Sequence, residues 1–133
     1  VGLSQFAERT LNTLSGGERQ RVFIAAALAQ ETPILLLDEP STFLDPQCQH
    51  DVNSLLRKLN RDCKTTLIVV SHDINAASLH ADRILALRDG QVAFLGAPAE
   101  FMRQDILRDV FGTDFLMSSH PHTDVPIIVP RLD

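Results

Sequence analysis

Tryptophan and tyrosine are both absent from this 133-residue chain, so seven phenylalanines supply all of its aromatic mass. Platforms that stack nucleobases are therefore poorly provided for. Basic blocks are missing as well, and 12 Lys and Arg against 17 Asp and Glu leave a net charge of −5. That balance argues against nucleic acid as a partner. Cysteine is scarce: Cys48 and Cys63 stand alone, without metal-type spacing. A reduced pair is expected, not a disulfide. No apolar run approaches the roughly 20 residues that a membrane-crossing helix needs. No secretory leader is expected either, so any membrane association is expected to come through a partner. Repeats and low-complexity tracts are also lacking.

What the chain does contain is an alternation of helical and strand-like segments. Val1 to Leu14 reads as a short helix plus linker. Ser15 with Glu18 three residues on is a capping box that opens a helix to about Gln30. Val22 to Ala29 is apolar without a break, which predicts burial nearly all round. Ile34 to Leu37 is a continuous apolar run of strand length, suited to a parallel strand covered on both faces. Asp45-Pro46 supplies an N-cap and a first-turn proline for a helix whose core face is Val52, Leu55, Leu56 and Leu59. Thr65 to Val70 reads as a second buried strand, followed by a short helix from Ile74 to about His80. Arg83 to Leu87 and Gln91 to Leu95 flank Asp89-Gly90, a tight hairpin signal. Pro98 starts another helix, and Asp105 to Phe111 forms one ended by Gly112. The tail from Ser118 is extended, with an edge strand near Ile127-Ile128-Val129. Met102 and Met117 read as core fillers.

Chemistry concentrates at three places. Ser15-Gly16-Gly17 puts free backbone amides at a helix N-terminus, where the helix dipole favours an anion and glycine lets a phosphate approach the backbone. Asp38 and Glu39 end the first strand. Alternation aims them differently, so one suits Mg²⁺ and the other suits general-base work on water. His72 ends the second strand, at the same edge, where α/β folds bind ligands.

Together these motifs resemble the ATPase subunit of an ABC transporter. Leu14-Ser15-Gly16-Gly17-Glu18 is similar to the family signature, and Ile34 to Glu39 to Walker B with its catalytic glutamate. Ser41-Thr42-Phe43-Leu44-Asp45 is similar to the D-loop, and His72 to the switch histidine. The resemblance implies an α/β P-loop NTPase core, C-terminal part only, with a central, mostly parallel sheet and flanking helices. Residues 1–30 would end the helical subdomain, 31–96 would hold the catalytic strands and helices, and 97–133 the C-terminal helices and tail. It implies ATP and Mg²⁺ as cofactors, with Asp38 on the metal, Glu39 on the water and His72 sensing the γ-phosphate. Ser15, Gly16, Gly17 and Glu18 would meet ATP held by an opposite subunit, and Asp45 would communicate across the dimer. Implied partners are a second ATPase subunit, identical or not, an integral-membrane permease and, indirectly, a periplasmic or surface substrate-binding protein. Location would be cytoplasmic, on the inner face of the membrane.

Phe43 and His72-Asp73-Ile74-Asn75-Ala76-Ala77 resemble importers of ferric siderophores, while the tail around His120-Pro121-His122 is similar to that of siderophore, haem and cobalamin importers alike; the siderophore group is placed ahead of the other two. His120, His122 and Asp124 read as a polar loop in that tail and not as a metal trap.

The phosphate-cradling Gly-rich loop ending in Gly-Lys-Ser/Thr does not occur; the only lysines, Lys58 and Lys64, do not follow a glycine. The residues are therefore expected to be the C-terminal portion of a subunit, inactive alone and weak in ATP affinity. Two other readings stand beside this one. A DNA-repair or chromosome-organising ATPase shares these motifs but needs heptad coiled coils, which are not seen. A non-catalytic module that docks on an intact partner needs no phosphate loop.

Overall fold

The computed structural model describes residues 4–130. Val1 to Leu3, where the expected opening helix begins, lie outside them. Over the rest of that segment two 3₁₀ turns, Ser4–Phe6 and Leu11–Thr13, stand in place of the expected helix. The chain divides into two units, Val1–His72 and Asp73–Asp133. Each has its own core.

In the first unit the order is α1 (Gly16–Leu28), β1 (Ile34–Asp38), α2 (Pro46–Cys63) and β2 (Thr66–Val70). β1 and β2 pair in parallel, Leu35 opposite Leu67 and Leu37 opposite Val69, with α2 as the crossover that parallel strands require. Ile24 of α1, Leu35 and Leu37 of β1, and Val52, Leu56 and Leu59 of α2 close one core, with Leu55 partly buried against it. Asp45 caps α2 by accepting from the Cys48 N–H at 2.9 Å, and Pro46 takes the first turn, as the sequence predicts.

Coverage on both faces is not what forms. Along β1 only Leu35 and Leu37 are buried, while Ile34 and Leu36 are exposed, Leu36 by 72%. On β2, Ile68 and Val70 are exposed beside them. The reason is geometric: α1 and α2 contribute to one core on one face of a two-stranded sheet, and side chains alternate between faces. The all-round burial expected of Val22 to Ala29 fails for the same reason. Ile24 is buried, but Phe23 is 53% exposed.

The second unit runs α3 (Ile74–His80), β3 (Ile84–Arg88), β4 (Gln91–Gly96), α4 (Pro98–Phe101), α5 (Gln104–Phe111), β5 (Leu116–Ser118) and β6 (Ile127–Val129). β3 and β4 form the expected antiparallel hairpin. Asp89 and Gly90 turn it with φ of 51° and 75°, the left-handed pair that such a turn demands. Its core is Ile84, Phe101, Met102, Leu107 and Val110, with Met117 packed against it. Phe94, Phe101, Phe111 and Phe115 line up in tilted and edge-on ring contacts, from the core residue Phe101 out to the exposed Phe111. β6 lies where the sequence places an edge strand. Its partner, the three-residue β5, is too short to leave a periodic signal. Among the described residues the sheets are therefore three pairs, and β1–β2 is the parallel one. No described helix is long and apolar enough to cross a membrane.

Candidate active site

The tip of α1 is built by its own first four residues. Glu18 N–H donates to Ser15 Oγ at 3.3 Å, and Ser15 N–H donates to Glu18 Oε2 at 2.8 Å. These bonds to Ser15 hold the Glu18 carboxyl below the usual range. The amides of Gly16 and Gly17 belong to the first turn and have no intrahelical acceptor, which leaves donors for an anion. The two glycines are not equivalent. Gly16 is exposed, but Gly17 is buried, and a Cβ on it would lie 2.7 Å from Cys48 Sγ. The missing side chain at Gly17 therefore serves close packing of α1 on α2, whereas at exposed Gly16 a Cβ would meet only Leu44 Cδ2, at an ordinary 3.4 Å, and the position suits phosphate approach.

β1 ends at Asp38, which pairs with Val70 of β2 and is exposed on the outer face. Glu39 comes next with φ of 47°, a left-handed backbone that turns it off the strand line. Its N–H still bonds Val70 O at 2.9 Å, so the turn is pinned to β2. Both carboxyl oxygens are engaged. Oε1 accepts the His72 main-chain N–H at 2.9 Å and lies 2.6 Å from His72 Nδ1. Oε2 accepts the Thr42 hydroxyl at 2.6 Å. An ionised carboxylate only accepts, so the short contact places the ring proton on Nδ1. The Thr42 and His72 hydrogen bonds, in that order, hold the Glu39 carboxyl below its ordinary value.

Parallel pairing is what brings these residues together. Asp38 lies opposite Val70, so residues just past both strand ends share one edge. Phe43 closes the same loop with φ of 61° and is wholly exposed. Asp45 sits at the start of α2, and Leu44 touches the position of Gly16. The residues singled out in the sequence therefore form two clusters: Asp38, Glu39 and His72 at the strand edge, and Ser15, Gly16, Gly17 and Glu18 at the α1 tip beside Asp45. His120 and His122 lie edge-on in a turn, with His122 N–H donating to His120 Nδ1 at 3.1 Å. No group of three or more metal-ligating side chains occurs among the described residues. A single exposed Asp38 still suits Mg²⁺ in the mode where one carboxylate joins waters and substrate phosphates. Sequence reading placed Thr42 in the D-loop-like segment but gave it no contact with Glu39, and it missed Cys48, which has no local signal at all.

The family model described as ABC transporter matches residues 1–42. The chain is 43% identical to the petrobactin import ATP-binding protein FpuD of Bacillus anthracis, over 98% of this chain and 48% of that protein. It is 42% identical to the ferric enterobactin transport ATP-binding protein FepC of Escherichia coli, again over 98% of this chain and 48% of the relative. The chain thus spans about half the length of the curated relatives it matches. A solved inward-facing structure, assigned to a metal-chelate type ABC transporter, superposes with a TM-score of 0.86 at 28% identity, covering 98% of this chain and 53% of that one. The chain is thus similar, over about half their length, to the ATP-binding subunits of ABC transporters, and its fold is part of the P-loop NTPase fold of their ATPase domains.

Proposed function

We propose that these residues supply the hydrolytic edge and the signature helix of an ATPase that powers ABC-type import. One observation carries the reading: Glu39 and His72 share a 2.6 Å contact immediately beyond two parallel strands, next to the carboxylate of Asp38. Glu39 is the base that takes a proton from the attacking water. His72 orients it and faces the terminal phosphate. Asp38 would hold Mg²⁺, which, when bound with ATP, neutralises charge on the phosphates. The α1 tip, with Ser15, Gly16, Gly17 and Glu18, meets ATP bound to a second ATPase subunit, and Asp45 acts across that dimer. The remaining partners are an integral-membrane permease and, through it, a substrate-binding protein, on the cytoplasmic side of the membrane. No nucleic acid takes part. The cargo is a ferric siderophore, with haem or cobalamin as the alternatives. The names of the two relatives support import of iron chelates.

The test is steady-state ATP hydrolysis by a complete subunit carrying residues 1–133. Glu39→Gln should lower kcat by at least about a hundredfold, as removal of a general base does. Turnover unaffected by that change would end the proposal. The 133 residues alone, without a phosphate loop, should not hydrolyse ATP. A second, non-catalytic reading draws on the exposed outer face of β1–β2, where Ile34, Leu36, Ile68 and Val70 lie together. Such a face fits a module that packs against an intact half. Adding this chain to a separate phosphate-loop half separates the two: restored turnover supports the catalytic reading, and binding without turnover supports the other.

A further inference from the structure

Glu39 is an acceptor with a limited number of lone pairs, and the structure shows how they are divided. Oε1 faces two His72 groups, the main-chain N–H and ring Nδ1. With two donors, that oxygen is saturated. Oε2 accepts one hydrogen bond here, from Thr42 Oγ1. Its second lone pair is the one left for a water proton. Oε2 is thus the reacting oxygen, and its neighbour is Thr42.

Thr42 is well placed for this. It is partly buried, its own N–H donates to Glu39 O at 3.2 Å, and its hydroxyl donates to Oε2 at 2.6 Å. Main chain and side chain of Thr42 therefore close on main chain and side chain of the same glutamate. The loop is held from the far side too, since Gln49 Nε2 donates to Ser41 O at 3.3 Å. The turn carries left-handed backbone at two residues that are not glycine, Glu39 and Phe43. Such conformations persist where surrounding contacts over-determine them.

We infer that Thr42 is a positioning residue: its hydroxyl fixes the Glu39 oxygen that faces the attacking water, while His72 fixes the other. This rests on the reading of Glu39 as the base. No proton passes through Thr42; its hydroxyl keeps its hydrogen and aims the remaining lone pair of Oε2.

Two measurements test it. In the chain as it stands, the Thr42 hydroxyl proton should be visible by NMR in slow exchange with water, coupled across the hydrogen bond to the Glu39 carboxyl carbon. A hydroxyl in fast exchange, with no such coupling, would overturn the assignment without any variant. In a complete subunit, Thr42→Val removes the donor but keeps the shape. It should lower kcat about tenfold, a part of the 10²–10⁴ that acid–base catalysis contributes. KM for ATP should move less than about twofold, because binding of substrate is not the interaction removed. Thr42→Ser, which restores the hydroxyl, should recover most of the rate. Equal loss in Thr42→Ser and Thr42→Val would mean a packing role and defeat the proposal. Full turnover in Thr42→Val, with Glu39→Gln inactive, would defeat it and leave the base reading intact. Full turnover in Glu39→Gln would instead remove the base reading itself.

Discussion

Gly17 lies against Cys48 so closely that a Cβ built on the glycine would meet Cys48 Sγ at 2.7 Å and Cys48 Cβ at 3.0 Å. The contact locks the buried start of α1 onto the first turn of α2, the segment that Asp45 caps. The absent side chain at Gly17, in the helix tip proposed to meet a phosphate, thus has a packing role in the fold.

Gly17→Ala should destabilise the first unit by about 1–3 kcal/mol, the usual cost of forcing a methyl group into a close-packed contact. Chemical denaturation of Gly17→Ala, Cys48→Ala and the double variant would measure it. Cys48→Ala removes the sulfur but not the Cβ, so rescue in the double variant should be partial. Strict additivity of the two changes would show that the contact is not the cause.

Asn75 makes both possible hydrogen bonds with the main chain of Ile128, donating to its C=O at 2.9 Å and accepting its N–H at 2.7 Å. The side chain acts as a one-residue strand partner for β6. Asn75→Ala should cost about 1–3 kcal/mol, since it leaves two partly buried main-chain groups without partners. Asn75→Asp keeps the acceptor and loses the donor, so it should fall between. Hydrogen exchange at the Ile128 amide reports the effect directly. Unchanged protection in Asn75→Ala would refute the clamp.

The pH dependence of stability should come partly from the two helix caps. Glu18 is held below its ordinary value by Ser15, and Asp45 by the Cys48 N–H. Both folded-state values are depressed, so each carboxylate stabilises the fold above the unfolded carboxylate range. The contribution is lost as pH falls through the folded values, within about pH 5 to 1. Glu18→Gln and Asp45→Asn should each flatten the acid limb of a stability–pH curve. An acid limb unchanged in both would show that the caps carry no proton linkage.

Leu36 is an exposed apolar residue on the outer face of β1, opposite Ile68. Leu36→Lys should leave the stability of the isolated chain within about 0.5 kcal/mol, as surface changes do. It should also lower binding of a hydrophobic dye and slow aggregation, because it interrupts the patch with a charge. A loss of several kcal/mol would mean that Leu36 is buried in solution.

The limits of sequence reading track the range of the forces involved. The strand assignment of Ile34 to Leu37 is right in type and wrong in environment. A run of four apolar residues specifies a strand, but how many faces are covered depends on what packs there, and α1 and α2 pack on one. Gly17 shows the same division at the site, for its glycine was legible but Cys48 as its neighbour was not.

What the amino-acid order determined alone are the features made within a turn of the chain. The Ser15–Glu18 box, the Asp45-Pro46 cap, the Asp89-Gly90 hairpin and the Gly112 stop each depend on groups three or fewer residues apart, or on one residue's own backbone freedom. Only the tertiary structure decided that Glu39 meets His72 across 33 residues and that Asn75 holds Ile128 across 53. The first contact arises from the parallel register of β1 and β2. The second arises from where β6 returns to α3. Neither leaves a mark in local composition, because a hydrogen bond between distant residues is specified by how whole elements pack.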